Sequence, residues 1–278
     1  MKKWFKDNFY IIVLWVIFMT VATALTLFAG NRFYFYNFSY IGTCLAVGIY
    51  LYANKVKYAR NLVQFAVGSY MLVYLGIISN ENMQIEGFWY YLFLGVFEAA
   101  VIHYLVAKIC GPLFFGRGWC GYACWTAMVL DLLPYKVPKN DRAKIGFIRY
   151  IVFTVSLLFV GTLFLLKVEN LEKIMFVSFI VGNVLYYAIG ITLAFIFKDN
   201  RAFCKYVCPI TVFLKPVSYF SMMRVKCNEK LCVKCGKCER ICPMDVTVTD
   251  NSRKRKNGTE CILCMNCIEE CPKKALHL

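Results

Sequence analysis

The chain has 278 residues, 60% of them hydrophobic and only 17% charged, and a mean hydropathy of +0.57. That balance excludes an ordinary soluble globular domain. The formal net charge of +16 gives no reason to invoke nucleic acid; it reads as a topology signal, because the cations gather at the ends of apolar stretches.

Six such stretches, at about 9–30, 38–54, 60–79, 88–109, 147–167 and 174–197, approach the roughly 20 residues that a membrane-spanning helix needs. Met1, Lys2, Lys3 and Lys6 precede the first, which is too long for a signal peptide and has no clear cleavage box after it, so an uncleaved anchor is expected. With the amino terminus inside, the inner segments collect Lys55, Lys57, Arg60, Lys108, Arg117, Lys136, Lys139, Arg142 and Lys144. The outer loops keep Arg32, the Asn80-Glu81-Asn82 stretch and a mixed segment at 167–173. The positive-inside rule then places both termini in the cytoplasm of a multi-pass protein of the cell (inner) membrane.

Glu98 and His103 fall inside the fourth stretch, where an ionisable group is a functional candidate, for quinone binding or proton uptake. His103 has the plainer reading of a hydrogen bond to a neighbouring helix. Cys44 and Cys110 read as packing residues.

Arg117, Trp119, Cys120, Tyr122 and Cys124 recur as Arg201, Phe203, Cys204, Tyr206 and Cys208, each set directly after an apolar stretch that ends inside. The shared pattern, R-x-aromatic-C-x-Y-x-C, leads both times into a short amphipathic segment, at 126–139 and 210–226. This is the signature of a duplicated helix-pair unit around a shared site. Cysteines at i, i+4 share a helix face, so two pairs related by pseudo-symmetry gather four thiols at the inner boundary. Several chemistries fit them: a third iron–sulfur centre, a soft metal such as copper(I) or zinc, redox-active disulfides, or buried thiols acting as small hydrophobes. Arg117 and Arg201 either neutralise a charged centre or anchor helix ends at headgroups.

After the segment 210–226, an amphipathic linker, two copies of C-x2-C-x2-C-x3-C-P follow: Cys232, Cys235, Cys238, Cys242-Pro243 and Cys261, Cys264, Cys267, Cys271-Pro272. This is the run of bacterial two-cluster ferredoxins, in which the fourth cysteine of each run serves the other cluster. Cys232, Cys235, Cys238 and Cys271 are assigned to one [4Fe–4S] cluster, and Cys261, Cys264, Cys267 and Cys242 to the other. A zinc ribbon would use two separated ligand pairs rather than triplets followed by Cys-Pro, and disulfides need an oxidising compartment. Between the runs, alternating Val246–Thr249 and the Asn257-Gly258 dipeptide predict a short strand and turn. The basic tetrad Arg253 to Lys256 reads as a solvated loop tip or as a docking or membrane-surface patch. Cys227, outside both runs, reads as a spare thiol.

On these residues the chain resembles the membrane-bound polyferredoxins of the NapH/NosR-like family, accessory proteins of periplasmic nitrate and nitrous-oxide reductases with relatives linked to cytochrome oxidase assembly. The resemblance rests on the apolar helices, two C-x3-C-P motifs at the inner face and the carboxy-terminal two-cluster domain, and covers roughly residues 70–278. Cys204, Cys208 and Pro209 fit the motif; Cys120 and Cys124 depart from it, with Trp125 in place of proline. Larger members carry an extracytoplasmic flavin-binding domain, which implies a separate outside partner here.

The expected architecture is an all-α six-helix transmembrane bundle (1–209), the linker (210–226) and a cytoplasmic α+β two-cluster ferredoxin domain (227–278). The expected function is electron transfer between a cytoplasmic donor, the [4Fe–4S] clusters and a quinone or an extracytoplasmic redox partner such as a flavoprotein, in contact with membrane lipid and without nucleic acid. The rival is a metal-handling assembly factor that binds or reduces copper at Cys120, Cys124, Cys204 and Cys208. No Walker A loop, Rossmann fingerprint or nucleophile triad is visible.

Overall fold

The computed structural model describes residues 9–96 and 99–278, so the amino-terminal lysines and Glu98 lie outside the described residues. Two long helices, α1 (Phe9–Ala29) and α2 (Phe33–Ala53), form a hairpin. Helix α3 (Ala59–Ser69) continues without a break as a π-helical stretch, Tyr70–Ile78. Among the described residues, four helices are long and apolar enough to cross a membrane: Ile11–Ala29, Ala59–Ile78, Ile148–Leu165 and Leu171–Phe197. The stretch expected at 38–54 falls on α2 and its cap residue Asn54; α2 is a full 21-residue helix whose Asn37, Ser39, Thr43 and tyrosines dilute its apolar character.

The fourth expected span, 88–109, is not one helix. Helix α4 (Ile85–Leu94) stops at Gly95, which takes the left-handed conformation (φ 72°), a backbone that glycine adopts without a Cβ clash. Helix α5 restarts at Ala99–Tyr104 and runs on through a π-helical turn, Leu105–Cys110, and Gly111–Phe115. The chain has turned back on itself: Phe88 stacks on Tyr104 with ring centroids 4.9 Å apart, whereas a continuous helix would separate them by about 24 Å. Hydropathy counts apolar residues and does not see this reversal. The half-length α4 is wedged against α8 (Ile148–Leu165) and α9 (Leu171–Phe197). Trp89 Nε1 donates to Ser156 Oγ at 3.3 Å, and Asn82 Nδ2 to the Met175 carbonyl at 2.9 Å.

Short helices carry the repeats: α6 (Gly118–Tyr122) and α7 (Trp125–Leu130) before α8, then α10 (Ala202–Tyr206) and α11 (Thr211–Ser218) after α9. The carboxy-terminal part is small: α12 (Lys237–Arg240), α13 (Asn266–Glu269) and one antiparallel pair, β1 (Lys226–Cys227) with β2 (Leu276–His277), in the register Lys226↔His277 and Cys227↔Leu276. The strand expected at Val246–Thr249 is reduced to one bond, Thr247 N–H to the Lys256 carbonyl at 3.1 Å. Asn257 (φ 54°) turns the chain into a 3-10 turn, Gly258–Glu260, instead. The segment 210–226 is more than a connector, since Leu214 is buried in the same apolar cluster as Val225, Met244, Ile262 and Leu263.

Candidate metal centres

In the carboxy-terminal part the two cysteine runs fold as copies of one loop. Lys234 and Gly236 in the first run, and Leu263 and Met265 in the second, all have φ between 52° and 69°, and Asp245 and Lys274 after the Cys-Pro corners match at 53° and 49°. Glycine fills only one of these left-handed positions. Met265 takes the conformation of Gly236 at a steric cost, so sequence composition points to half of the device. One cavity is lined by Cys261, Cys264, Cys267 and Cys242, the other by Cys232, Cys235, Cys238 and Cys271. Each cavity thus takes its fourth thiol from the other run. Val246 N–H points at Cys242 Sγ (3.4 Å) and Ala275 N–H at Cys271 Sγ (3.3 Å), the kind of donor that stabilises negative sulfur. Four thiols on a wrapping loop, amide donors and an apolar lining fit a [4Fe–4S] cubane.

The repeats in the helical part also pair. Arg201 Nη1 donates to the Cys120 carbonyl at 3.0 Å, and Arg117 Nη2 to the Cys204 carbonyl at 3.4 Å. Each repeat therefore caps the first cysteine of the other, as a pseudo-twofold requires. Both arginines are buried, so the reading of them as headgroup anchors gives way to one of internal cations. The cysteines of a pair do not share one helix. Helices α6 and α10 end at Tyr122 and Tyr206, and Cys124 and Cys208 follow in the break before the next helix. The four thiols nevertheless lie within electrostatic reach of one another. Burial pushes the Cys204 thiol up to about 11 and Cys208 higher still, so a metal taken up here displaces protons. Lys108, set over the Trp119 ring at 4.6 Å, also faces Cys120, Cys124 and Cys208. Three buried cations beside four thiols suit an anionic centre. Among the described residues, no three His, Cys, Asp or Glu side chains are drawn close enough to grip a single ion.

Between the two sets of thiols runs a polar seam that the sequence does not advertise. Glu260, directly before Cys261, is fully buried and receives Arg142 (2.6 Å), Lys215 (2.8 Å), Arg149 (3.3 Å) and Arg117 (3.6 Å). Burial alone would raise its carboxyl, but Arg117, Arg142 and Lys215 hold it down at about 2. Lys205, inside the second repeat, bridges Asp199 (2.7 Å) and Asp245 (2.6 Å). Tyr122, inside the first, donates to the Leu263 carbonyl at 2.8 Å. Gly121 packs so closely on the Ile262 carbonyl that a Cβ would collide with it. Asp131 takes Arg201 (2.5 Å) and Arg60 (2.8 Å), and these cations hold its carboxyl below the usual range against the upward push of burial.

Other candidates resolve individually. His103 is buried edge-on against Trp119, at 5.2 Å between centroids. Cys44 packs in the core between α2 and α3, whereas Cys110 is exposed. Cys227 lines the cavity of Cys232, Cys235 and Cys238. The basic tetrad is not a free tip. Arg255 is buried and donates to the Val225 carbonyl at 2.7 Å, and Arg253 holds the carbonyls of Tyr219 and Ser221.

Ferredoxin-type thiol loops seated on apolar helices define an iron–sulfur protein, and comparison with known sequences agrees. A model described as a 4Fe-4S dicluster domain matches residues 231–276, and one described as a 4Fe-4S binding domain matches residues 105–142 and 176–226, each of the last two segments holding one repeat. The chain belongs to the same iron–sulfur, ferredoxin-like family as uncharacterized protein MJ0750 of Methanocaldococcus jannaschii, to which it is 31% identical over 186 residues, 62% of this chain and 76% of that protein. Uncharacterized protein MJ0749 of the same organism is 27% identical over 235 residues, 80% of this chain and 87% of its own. The putative electron transport protein YccM of Escherichia coli is 36% identical over 73 residues, 26% of this chain and 20% of that protein. No solved structure matches.

Proposed function

We propose that this iron–sulfur protein is a NapH/NosR-like membrane electron carrier with six crossings and both termini in the cytoplasm. It passes electrons between a cytoplasmic donor and a quinone or an extracytoplasmic redox partner such as a flavoprotein. Cys232, Cys235, Cys238 and Cys271 hold one [4Fe–4S] cluster; Cys261, Cys264, Cys267 and Cys242 hold the second; Cys120, Cys124, Cys204 and Cys208 hold a third iron–sulfur centre. Bound clusters supply reversible one-electron chemistry. The chain's own residues do the rest. Tyr122 and Lys205, each lying between the two cysteines of a repeat, fasten that repeat to the loops at Leu263 and Asp245. Arg117, Arg201 and Lys108 offset the negative charge of thiolate sulfur.

The observation that carries this reading is the direct seating of the four-thiol repeat on the Cys261 loop, with no intervening domain. Iron and acid-labile sulfide, measured on anaerobically purified wild type and on Cys120→Ser/Cys204→Ser, test it. The double variant should lose about one cluster's worth of iron and the ability to reduce a water-soluble quinone, while keeping the two ferredoxin clusters. Unchanged iron, or copper bound stoichiometrically at these thiols in the wild type, would replace the reading with that of a copper-handling assembly factor.

A further inference from the structure

The two cysteine cavities of the carboxy-terminal part are built alike but face different surroundings. That of Cys261, Cys264, Cys267 and Cys242 is lined by Val225, Met244, Val246, Val248 and Ile262, which are buried. Among the described residues, the polar contacts from the helical part and the segment 210–226 end on Met244, Asp245, Arg253, Arg255, Glu260, Leu263 and Glu269. None ends on residues 229–241. The cavity of Cys232, Cys235, Cys238 and Cys271 opens there instead. Cys235 is exposed, and so are Leu231 (50%) and Val233 (59%) beside it.

The rim of that second opening is basic. Lys230, Lys234, Arg240, Lys273 and Lys274 are exposed around it, with Val233, Pro272 and Lys273 forming part of the lining. Of the acidic groups nearby, Glu270 pairs with Lys237 at 2.6 Å, while Glu239, which accepts from Thr249 Oγ1 at 2.6 Å, keeps its charge. Glu229 and Glu239 are thus set against the five exposed cations Lys230, Lys234, Arg240, Lys273 and Lys274. A small apolar centre at an accessible thiol site, ringed by cations in excess of carboxylates, is suited to brief docking with an oppositely charged protein. Charge complementarity of this kind raises the association rate more than the lifetime.

We infer that the face formed by residues 230–240 and 272–274 is the docking surface for a small acidic one-electron carrier protein, such as a flavodoxin-like or ferredoxin-like donor. The inference rests on the electron-carrier reading and gives it a direction in space: the partner meets the Cys235 side, and the Cys261 side faces the helices. The exchange moves one electron. The reduced carrier is oxidised by one electron, the protein gains it, and no proton or bond changes hands. An anionic membrane surface is the weaker occupant, because the helical part grips the domain through other residues.

The test uses the whole protein in phosphatidylcholine nanodiscs, with an acidic flavodoxin as the probe. Binding is read by fluorescence anisotropy of labelled flavodoxin against salt, and electron transfer by stopped flow with its hydroquinone. Lys234→Glu/Lys273→Glu/Lys274→Glu should weaken binding and slow transfer about tenfold or more at low salt, with a flatter salt dependence. Lys254→Glu/Lys256→Glu, on the loop between the runs, should change either by less than about twofold. Should the triple variant lose iron, the charge-neutral pair Lys273→Gln/Lys274→Gln is read in the same way. Equal binding by wild type and triple variant, an equal loss in the 254/256 variant, or binding that appears only with phosphatidylserine in the disc would overturn the inference. Dithionite separates the two levels. If it bleaches the iron–sulfur absorption of a preparation that ignores flavodoxin, the docking surface fails alone; if it finds no reducible cluster, the electron-carrier reading fails with it.

Discussion

Tyr122 Oη donates to the carbonyl of Leu263 at 2.8 Å, joining the middle of one cysteine motif to the middle of another across 141 residues of chain. Tyr122 lies between Cys120 and Cys124, and Leu263 between Cys261 and Cys264. Leu263 itself has φ 52° and is buried, so its carbonyl needs a donor from within the protein. The bond thus satisfies a buried acceptor and fixes the spacing of two thiol sets at once.

Tyr122→Phe should cost about 1–3 kcal/mol, because the Leu263 carbonyl is left unpaired. The cysteines are untouched, so iron content should stay at the wild-type value. Hydrogen exchange of the amides at 258–266 should accelerate, while that of 226–240 does not. Uniform protection across both segments would show that the bond is dispensable for seating.

Gly121→Ala pushes on the same seam from the other side. The added methyl meets the Ile262 backbone rather than a flexible side chain, and overpacking of this kind costs about 1–3 kcal/mol. A downward shift of several degrees in the detergent melt is expected. An unshifted melt would mean that the two parts part freely.

Removing Glu260 should be more severe. Four cations converge on it, and Glu260→Gln leaves the two buried ones, Arg117 and Arg149, without this counter-charge, at about 3–5 kcal/mol. Taking away a negative charge next to Cys261 also favours the reduced, more negative form of a bound cluster, so the potential of that cluster should rise. Redox titration followed by electron paramagnetic resonance measures the shift, and a fall in potential would contradict this electrostatic account.

How much of this was legible beforehand depends on where the determining residues sit. The cysteine runs announce themselves because ligand spacing is local, and the repeat because the same kinds of residue recur in order at five positions. The reversal at Gly95 is invisible to a hydropathy window, since both arms of the turn are equally apolar. Glu260 is invisible for another reason: its partners come from positions 117, 142, 149 and 215, brought together only by tertiary folding. Arg253 and Arg255 look like a free solvated tip in sequence; Arg255 is instead buried on the Val225 carbonyl, and the exposed Arg253 is tied to the carbonyls of Tyr219 and Ser221.

The crossed grouping of thiols gives a sharp expectation for single-cysteine variants. Cys242→Ser, in the first run, should damage the centre of the second run, Cys261, Cys264 and Cys267, which shares its cavity. Cys271→Ser should damage that of Cys232, Cys235 and Cys238. Each variant should keep the other cluster of the ferredoxin pair and lose the magnetic coupling between the two. If Cys242→Ser instead spared the second run's centre, the crossed assignment would be wrong.

Asp131 supplies a pH signature for the pairing of the repeats. Its carboxyl lies below the usual range because Arg201 and Arg60 flank it, outweighing burial. A group whose folded value is depressed binds fewer protons folded than unfolded, so its stabilisation is fully present above the unfolded value of about 3.9 and fades as pH falls below it. Asp131→Asn should therefore lower the melting temperature in detergent at pH 7, by the equivalent of about 3–5 kcal/mol for a broken buried pair. The gap between variant and wild type should stay constant from pH 7 to about 5 and close only below about 4. A gap that widens on acidification would mean that Asp131 is protonated at neutral pH, and that Arg201 reaches Cys120 without its help.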